Sequence, residues 1–254
     1  MCTLAVFREL SARYPLVVAA NRDEFYGRPT LPPAPLREPP GVTAGLDLEA
    51  NGTWFGFRNS SGPLVAGLLN RRQGNFPPQP RSAGQRSRGL LCLEALAHDD
   101  FRGALASVEG QDLGRYQSFN LFLAGPERAV VIDNASASGP RLTELDAGLS
   151  VLTGLDVNDP RCPRLASAVP RFEEVAELLA GGADAEELRC ATTTVLADHG
   201  ASADPDEAGP FGRLCVHTEE FGTRSASLLL VDAGGRTELF HADGPPCRTP
   251  LAPL

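Results

Sequence analysis

The sequence predicts an α+β fold, and three observations carry it. Short apolar runs bounded by turn signals fill residues 3–69 and return at 119–152 and 214–241. Helical periodicity appears between them, at 87–108 and 165–199. Hydrophobic residues make up 42% of 254 positions, enough to bury a large core. Strands, helices, strands, helices and strands in one chain fit antiparallel sheets with helices packed outside. No internal repeat or clear linker interrupts the chain, so residues 1–254 are expected to form a single domain.

Residues 3–7 are apolar, 8–14 polar and 16–20 apolar again, which reads as a hairpin. A turn centred near residues 11 and 12 would place Cys2 across from Asn21, with Asp23 just beyond. Six of the fourteen residues 27–40 are proline, so this connection is expected to be extended surface loop. Strands follow at 42–48, 53–58 and 64–69, separated by turns at Asn51-Gly52 and Ser60-Ser61-Gly62. A loop at 71–88 carries Arg71, Arg72, Arg81, Arg86 and Arg88. Leu90, Leu91, Leu93, Ala95, Leu96 and Ala97 recur at the spacing of one buried helical face, and 101–108 suits a second short helix. Strands are expected at 119–124, 129–133, 141–145 and 149–152, then helices at 165–180 and 185–199. After a polar loop at 198–210 come strands at 214–217, 225–231 and 237–241, with Ala233-Gly234-Gly235 as a turn.

Composition narrows the function. Asp and Glu number 32 against 23 basic residues, every one an Arg, for a net charge of -9. A nucleic-acid partner calls for a basic stripe, which this chain lacks. No apolar run reaches the roughly 18 residues of a membrane helix. The start, Met1-Cys2-Thr3-Leu4-Ala5-Val6-Phe7-Arg8-Glu9, has no basic leader, so no signal peptide is expected. Six widely spaced cysteines without a CxxC pair read as reduced thiols, and the expected location is cytoplasmic.

Cys2 carries the most chemistry. Removal of Met1 by an aminopeptidase would leave Cys2 with a free α-amine, whose ordinary pKa of about 7.7–8.0 makes it a base beside a thiol nucleophile. The competing reading is a small buried apolar residue. An acid near the amine would orient the ammonium, and Asp23 is the candidate. Asn120, polar inside an apolar strand, reads either as a satisfied buried amide or as a ligand contact. Arg224, before a very apolar strand, reads as a strand-end cap or as a carboxylate ligand. Trp54 reads as a core aromatic rather than a ligand platform. Cys215 and His217 alternate along an expected strand, but two ligands make no zinc site, and no metal is expected. Cys162-Pro163 matches a two-residue haem-contact pattern, and His98, His199 and His241 are expected to face solvent.

Several fragments, taken in order, resemble the NRDE family, also called the transport and Golgi organisation family. They are Ala19-Ala20-Asn21-Arg22-Asp23-Glu24-Phe25-Tyr26-Gly27-Arg28-Pro29, Asn51-Gly52-Thr53-Trp54-Phe55-Gly56, Gly67-Leu68-Leu69-Asn70, Ser87-Arg88-Gly89, Ser118-Phe119-Asn120-Leu121 and Phe221-Gly222-Thr223-Arg224-Ser225. That family is similar to the N-terminal-nucleophile hydrolases, so the resemblance implies a four-layer αββα sandwich with antiparallel sheets. Within them the penicillin V acylase and bile salt hydrolase group cleaves linear amides with an N-terminal Cys. Carried over residue by residue, the resemblance makes Cys2 the nucleophile, Asp23 the acid that orients the amine and Asn70 the oxyanion donor. Asn21, Arg22, Asn120 and Arg224 complete the expected substrate- or ligand-binding set.

Two positions depart from the acylase pattern. Ala20 stands where those enzymes have an Arg, and Gly154 stands where they have a second Asn. Arg22 is expected on the opposite strand face from Ala20. The expected activity is therefore amide or thioester hydrolysis or acyl transfer on a small molecule, with no cofactor. The alternative is a non-enzymatic carrier of haem or a lipid-like ligand, haem being the ligand that the family resemblance implies. An interaction domain on a decayed enzyme scaffold is the third reading.

Overall fold

Two antiparallel sheets, each with a pair of α-helices on one face, make up the computed structural model, which describes residues 2–60, 62–71, 82, 84–200 and 212–254. They belong to two compact units, Met1–Gly27 with Ala147–Leu254, and Arg28–Asp146.

In the first unit the sheet order is β10 (Gly148–Leu152), β1 (Thr3–Arg8), β2 (Leu16–Phe25), β11 (Phe221–Val231), β12 (Thr237–Ala242) and β13 (Ala252–Pro253). Ala5, Phe7, Val17, Ala19, Leu228 and Leu230 share one core with α3 (Pro163–Ala180) and α4 (Ala185–Leu196). The α3 residues Leu165, Ala168, Phe172, Val175 and Leu179 form its buried stripe at helical spacing. An Asp184–Glu187 capping box starts α4. Leu4, Val6, Val18 and Leu229 are buried as well, so the central strands are apolar on both faces.

The second unit is a seven-stranded meander in chain order: β3 (Thr30–Pro35), β4 (Val42–Asp47), β5 (Phe55–Asn59), β6 (Pro63–Asn70), β7 (Phe119–Ala124), β8 (Ala129–Asp133) and β9 (Arg141–Glu144). Leu64, Ala66, Phe119, Leu121, Leu123 and Val130 pack with α1 (Arg88–Leu96) and α2 (Phe101–Glu109), the latter capped by the Asp100 carboxylate on the Gly103 N–H.

Four expectations are corrected. The Pro-rich connection contains a strand, β3, which is tolerated because it is the sheet edge and its register shifts between Leu31 and Ala34. Residues 214–217 form no strand; His217 makes only an isolated bridge to Gly222, and β11 begins earlier than expected, at Phe221. Helix α4 stops at Leu196, three residues short of the expected end. The first hairpin is one residue out of the expected register: Thr3, not Cys2, sits across from Asn21. Glu9 in the left-handed region (φ 58°) and its N–H bond to the Pro15 carbonyl set that longer loop. The register, continued one position, puts Cys2 across from Arg22. Most of the loops expected at 71–88 and 198–210, and Ser61 of its turn, lie outside the described residues. Among the described residues no helix is long and apolar enough to cross a membrane.

Candidate functional site

Asp23 is a fully buried carboxylate of the first unit. It lies on β2, on the face toward α3 and α4, and it and Arg164 are both 0% exposed as side chains. Its Oδ2 accepts from Arg164 Nη1 at 2.9 Å and its Oδ1 from Thr223 Oγ1 at 2.7 Å. The same Arg164 nitrogen donates to Thr3 Oγ1 at 2.9 Å, and Thr223 Oγ1 accepts from the Val216 N–H. A carboxylate removed from water needs such partners; here they come from α3 and β11, with Thr3 of β1 holding the arginine.

Cys2 sits one residue before β1 with its Sγ 4.0 Å from the Asp23 carbonyl oxygen. The side chain is half-buried, and burial pushes its thiol above the ordinary thiol value. The negative charge of Asp23 adds to that shift, and Arg22 opposes it. A thiol in this state is protonated at neutral pH and reacts only beside a base.

Arg22 is buried and lies 3.6 Å from Glu24. It shares a face with Ala20, because residues two apart on a strand point the same way, which corrects the expected opposite facing. The amide nitrogen of Asn21 donates to the carbonyls of Leu196 and Leu214 at 2.8 and 3.0 Å, tying the end of α4 and the segment before β11 to β2. Arg224 is the extra residue of a β-bulge, where the register shifts between Thr223 and Ser225. Its Nη1 donates to the Phe25 and Tyr26 carbonyls at 2.9 and 2.8 Å, so it caps the end of β2. Gly222 leaves room for Tyr26, whose hydroxyl would lie 2.2 Å from a Cβ there.

Asn70 and Asn120 belong to the second unit. Asn70 is the exposed last residue of β6, across from Phe119. Asn120 is buried on β7, and its Oδ1 accepts from Arg71 Nη1 at 3.0 Å. Arg71 also lies 3.6 Å from Asp133, the residue across from Asn120 on β8. The motif glycines Gly52 and Gly89 meet backbone to backbone: a Cβ on Gly52 would lie 2.3 Å from the Gly89 carbonyl carbon. Arg88 Nη1 donates to the Ser118 carbonyl at 3.0 Å. Trp54 packs over Gly45, where a Cβ would meet its ring at 2.4 Å.

The sequence reading missed Arg164 and Thr223 as partners of Asp23, and Thr3 as a second acceptor for Arg164. Arg164 follows Pro163 in the first turn of a helix, a place that reads as solvent-facing. Thr223 lies within the Phe221-Gly222-Thr223-Arg224-Ser225 fragment, where sequence alone gives its hydroxyl no partner. Cys162 is buried as the residue before α3, with Thr153 Oγ1 3.5 Å from its sulfur. His241, expected to face solvent, is buried; its Nδ1 lies 2.9 Å from Ser227 Oγ, and burial lowers its pKa to about 4.

The fold is shared with known enzymes. An N-acylethanolamine-hydrolyzing acid amidase ortholog of Caenorhabditis elegans superposes with a TM-score of 0.54 at 14% identity, over 90% of this chain and 92% of that one. A variant of the conjugated bile acid hydrolase of Clostridium perfringens gives 0.55 at 11% identity, over 95% and 89%. At such identities the likeness is one of fold, the α+β fold of the N-terminal-nucleophile hydrolases. In sequence the chain is 28% identical over 255 residues to Transport and Golgi organization protein 2 of Drosophila melanogaster, covering 90% of this chain and 86% of that protein. It is 30% identical over 241 residues to the Bos taurus homolog, covering 87% and 84%. The family model described as Transport and Golgi organisation 2 matches residues 1–243, and the chain belongs to that family.

Proposed function

We propose that this protein is a Cys2-dependent amidohydrolase or acyltransferase acting on a small amide or thioester in the cytoplasm. One observation carries the reading: the Cys2 sulfur lies beside Asp23, whose carboxylate is gripped by Arg164 and Thr223. With Met1 removed, the new α-amine takes the Cys2 proton and Sγ attacks the carbonyl carbon. The amine then passes that proton to the leaving amine or thiol as the C–N or C–S bond breaks. Water, or an acceptor amine, cleaves the resulting thioester and regenerates the thiol. Asp23 orients the ammonium; Asn70 enters as oxyanion donor on the family resemblance alone.

The test is peptide-resolved mass spectrometry after brief exposure to a limiting thiol electrophile. The expected result is that Met1 is absent and Cys2 is labelled well ahead of the exposed Cys190. Because the chain has no Lys, an amine-reactive label then marks only the α-amine, and blocking it should abolish the Cys2 advantage. Retained Met1, or a Cys2 no faster than Cys190, overturns the mechanism. Ala20 and Gly154 favour the second reading, carriage of haem or a lipid-like ligand without chemistry; saturable haem binding by a Cys2→Ala variant supports it.

A further inference from the structure

We infer that His199, Cys215, His217 and Cys247 form a four-ligand metal site whose donors select zinc. One ligand atom from each of the four lies within 4.8 Å of all the others. The Cys215 and Cys247 sulfurs are 3.6 Å apart, and His217 Nε2 lies 3.6 Å from one and 3.3 Å from the other. A tetrahedral zinc with Zn–S of about 2.3 Å and Zn–N of about 2.0–2.1 Å requires S···S near ~3.8 Å and S···N near ~3.6 Å. The three spacings among Cys215, His217 and Cys247 lie within about 0.3 Å of the edges of that tetrahedron, and His199 offers its atom within 4.8 Å of each. They are also far beyond the roughly 2.05 Å of a disulfide, so the two sulfurs are not bonded to each other.

The fourth ligand is prepared in the same way. His199 Nδ1 lies 3.1 Å from the Cys215 carbonyl, so the ring donates there and keeps a lone pair on Nε2, the form that a metal takes. Its ring centroid is 5.2 Å from that of His217. The backbone holding the ligands is itself tied down. The Cys215 N–H donates to the Asp198 carbonyl at 2.8 Å, and Val216 exchanges bonds with Thr223 through both backbone and side chain.

Two thiolates and two neutral imidazoles balance a divalent ion, and binding releases the two thiol protons. An S2N2 tetrahedron of protein atoms suits zinc rather than the oxygen-seeking magnesium or calcium, and leaves no open position for substrate. The site is therefore a staple. It joins the chain just past α4, the irregular segment before β11 and the turn after β12, and that middle segment pairs with the Thr223 that holds Asp23.

The test uses the whole protein, reduced, stripped with a chelator and then dialysed against Zn2+ alone. The expected result is about one zinc per chain, and a Co2+ adduct with a thiolate-to-cobalt charge-transfer band. His199→Ala and Cys247→Ser should each weaken binding at least tenfold, as measured by competition with a chelating dye, while Cys190→Ser leaves it unchanged. His199 is exposed, so its variant reports on the site even if Cys247→Ser fails to fold. Zinc binding that is absent from the reduced wild type, or undiminished in both ligand variants, overturns the proposal, as does a Co2+ adduct without the thiolate band. The readout is metal content, so it is independent of whether Cys2 is a nucleophile.

Discussion

At the scale of single residues, the Asp23–Arg164 pair sets the cost of change. Removing one partner strands a charge away from water, so Arg164→Met is expected to lower the unfolding free energy by about 3–5 kcal/mol. Urea denaturation measures it; a loss under about 1 kcal/mol would mean that Asp23 is held by something else. His241 gives a pH signature. Burial holds its folded pKa at about 4 against 6.5 for the free group, with Asp243 opposing the shift. The unfolded chain therefore takes up the proton first as pH falls. The contribution of the neutral ring is complete above pH 6.5 and disappears as pH drops toward 4, a change on the order of ~3 kcal/mol. His241→Gln should flatten that part of the stability profile; an unchanged slope would assign it to other groups.

The quoted motif fragments explain themselves at the scale of elements. Gly52 against Gly89, Arg88 on Ser118, Arg224 on Phe25 and Tyr26, and Gly222 under Tyr26 join one fragment to another within a unit. Much of this set of fragments is thus scaffold rather than chemistry. Gly52→Ala should force the loop before β5 away from the start of α1, costing about 1–3 kcal/mol and several degrees of Tm. Gly27→Ala, with no atom within 4 Å of a new Cβ, should stay within about 0.5 kcal/mol. Equal melting temperatures for the two variants would show that the Gly52 contact relaxes freely. Strands β7 and β8 were legible to the residue because each is an apolar run between turn signals. Strand β3 was not, since proline marks a loop in sequence and only the sheet reveals an edge.

For the whole molecule, the order of strand and helix blocks was enough to read an α+β chain, and family resemblance added the kind. Each helical pair covers one sheet because each sheet offers a continuous apolar stripe that it must bury. The acidic balance and the absence of Lys belong to this scale too. They argue against a polyanionic partner and leave the α-amine as the one amine available to chemistry.

The sequence by itself determined what is local or additive: periodicity, turn residues, charge, and the position of Cys2 beside a strand. These follow from backbone geometry within a few residues. Only the tertiary structure decided which remote side chains meet. It set the hairpin register that moved Thr3 opposite Asn21, brought Arg164 to Asp23 across 141 positions, and brought Cys247 to His217 across 30. Such meetings arise from the burial of the whole sheet and its helices at once, and no local pattern encodes that sum.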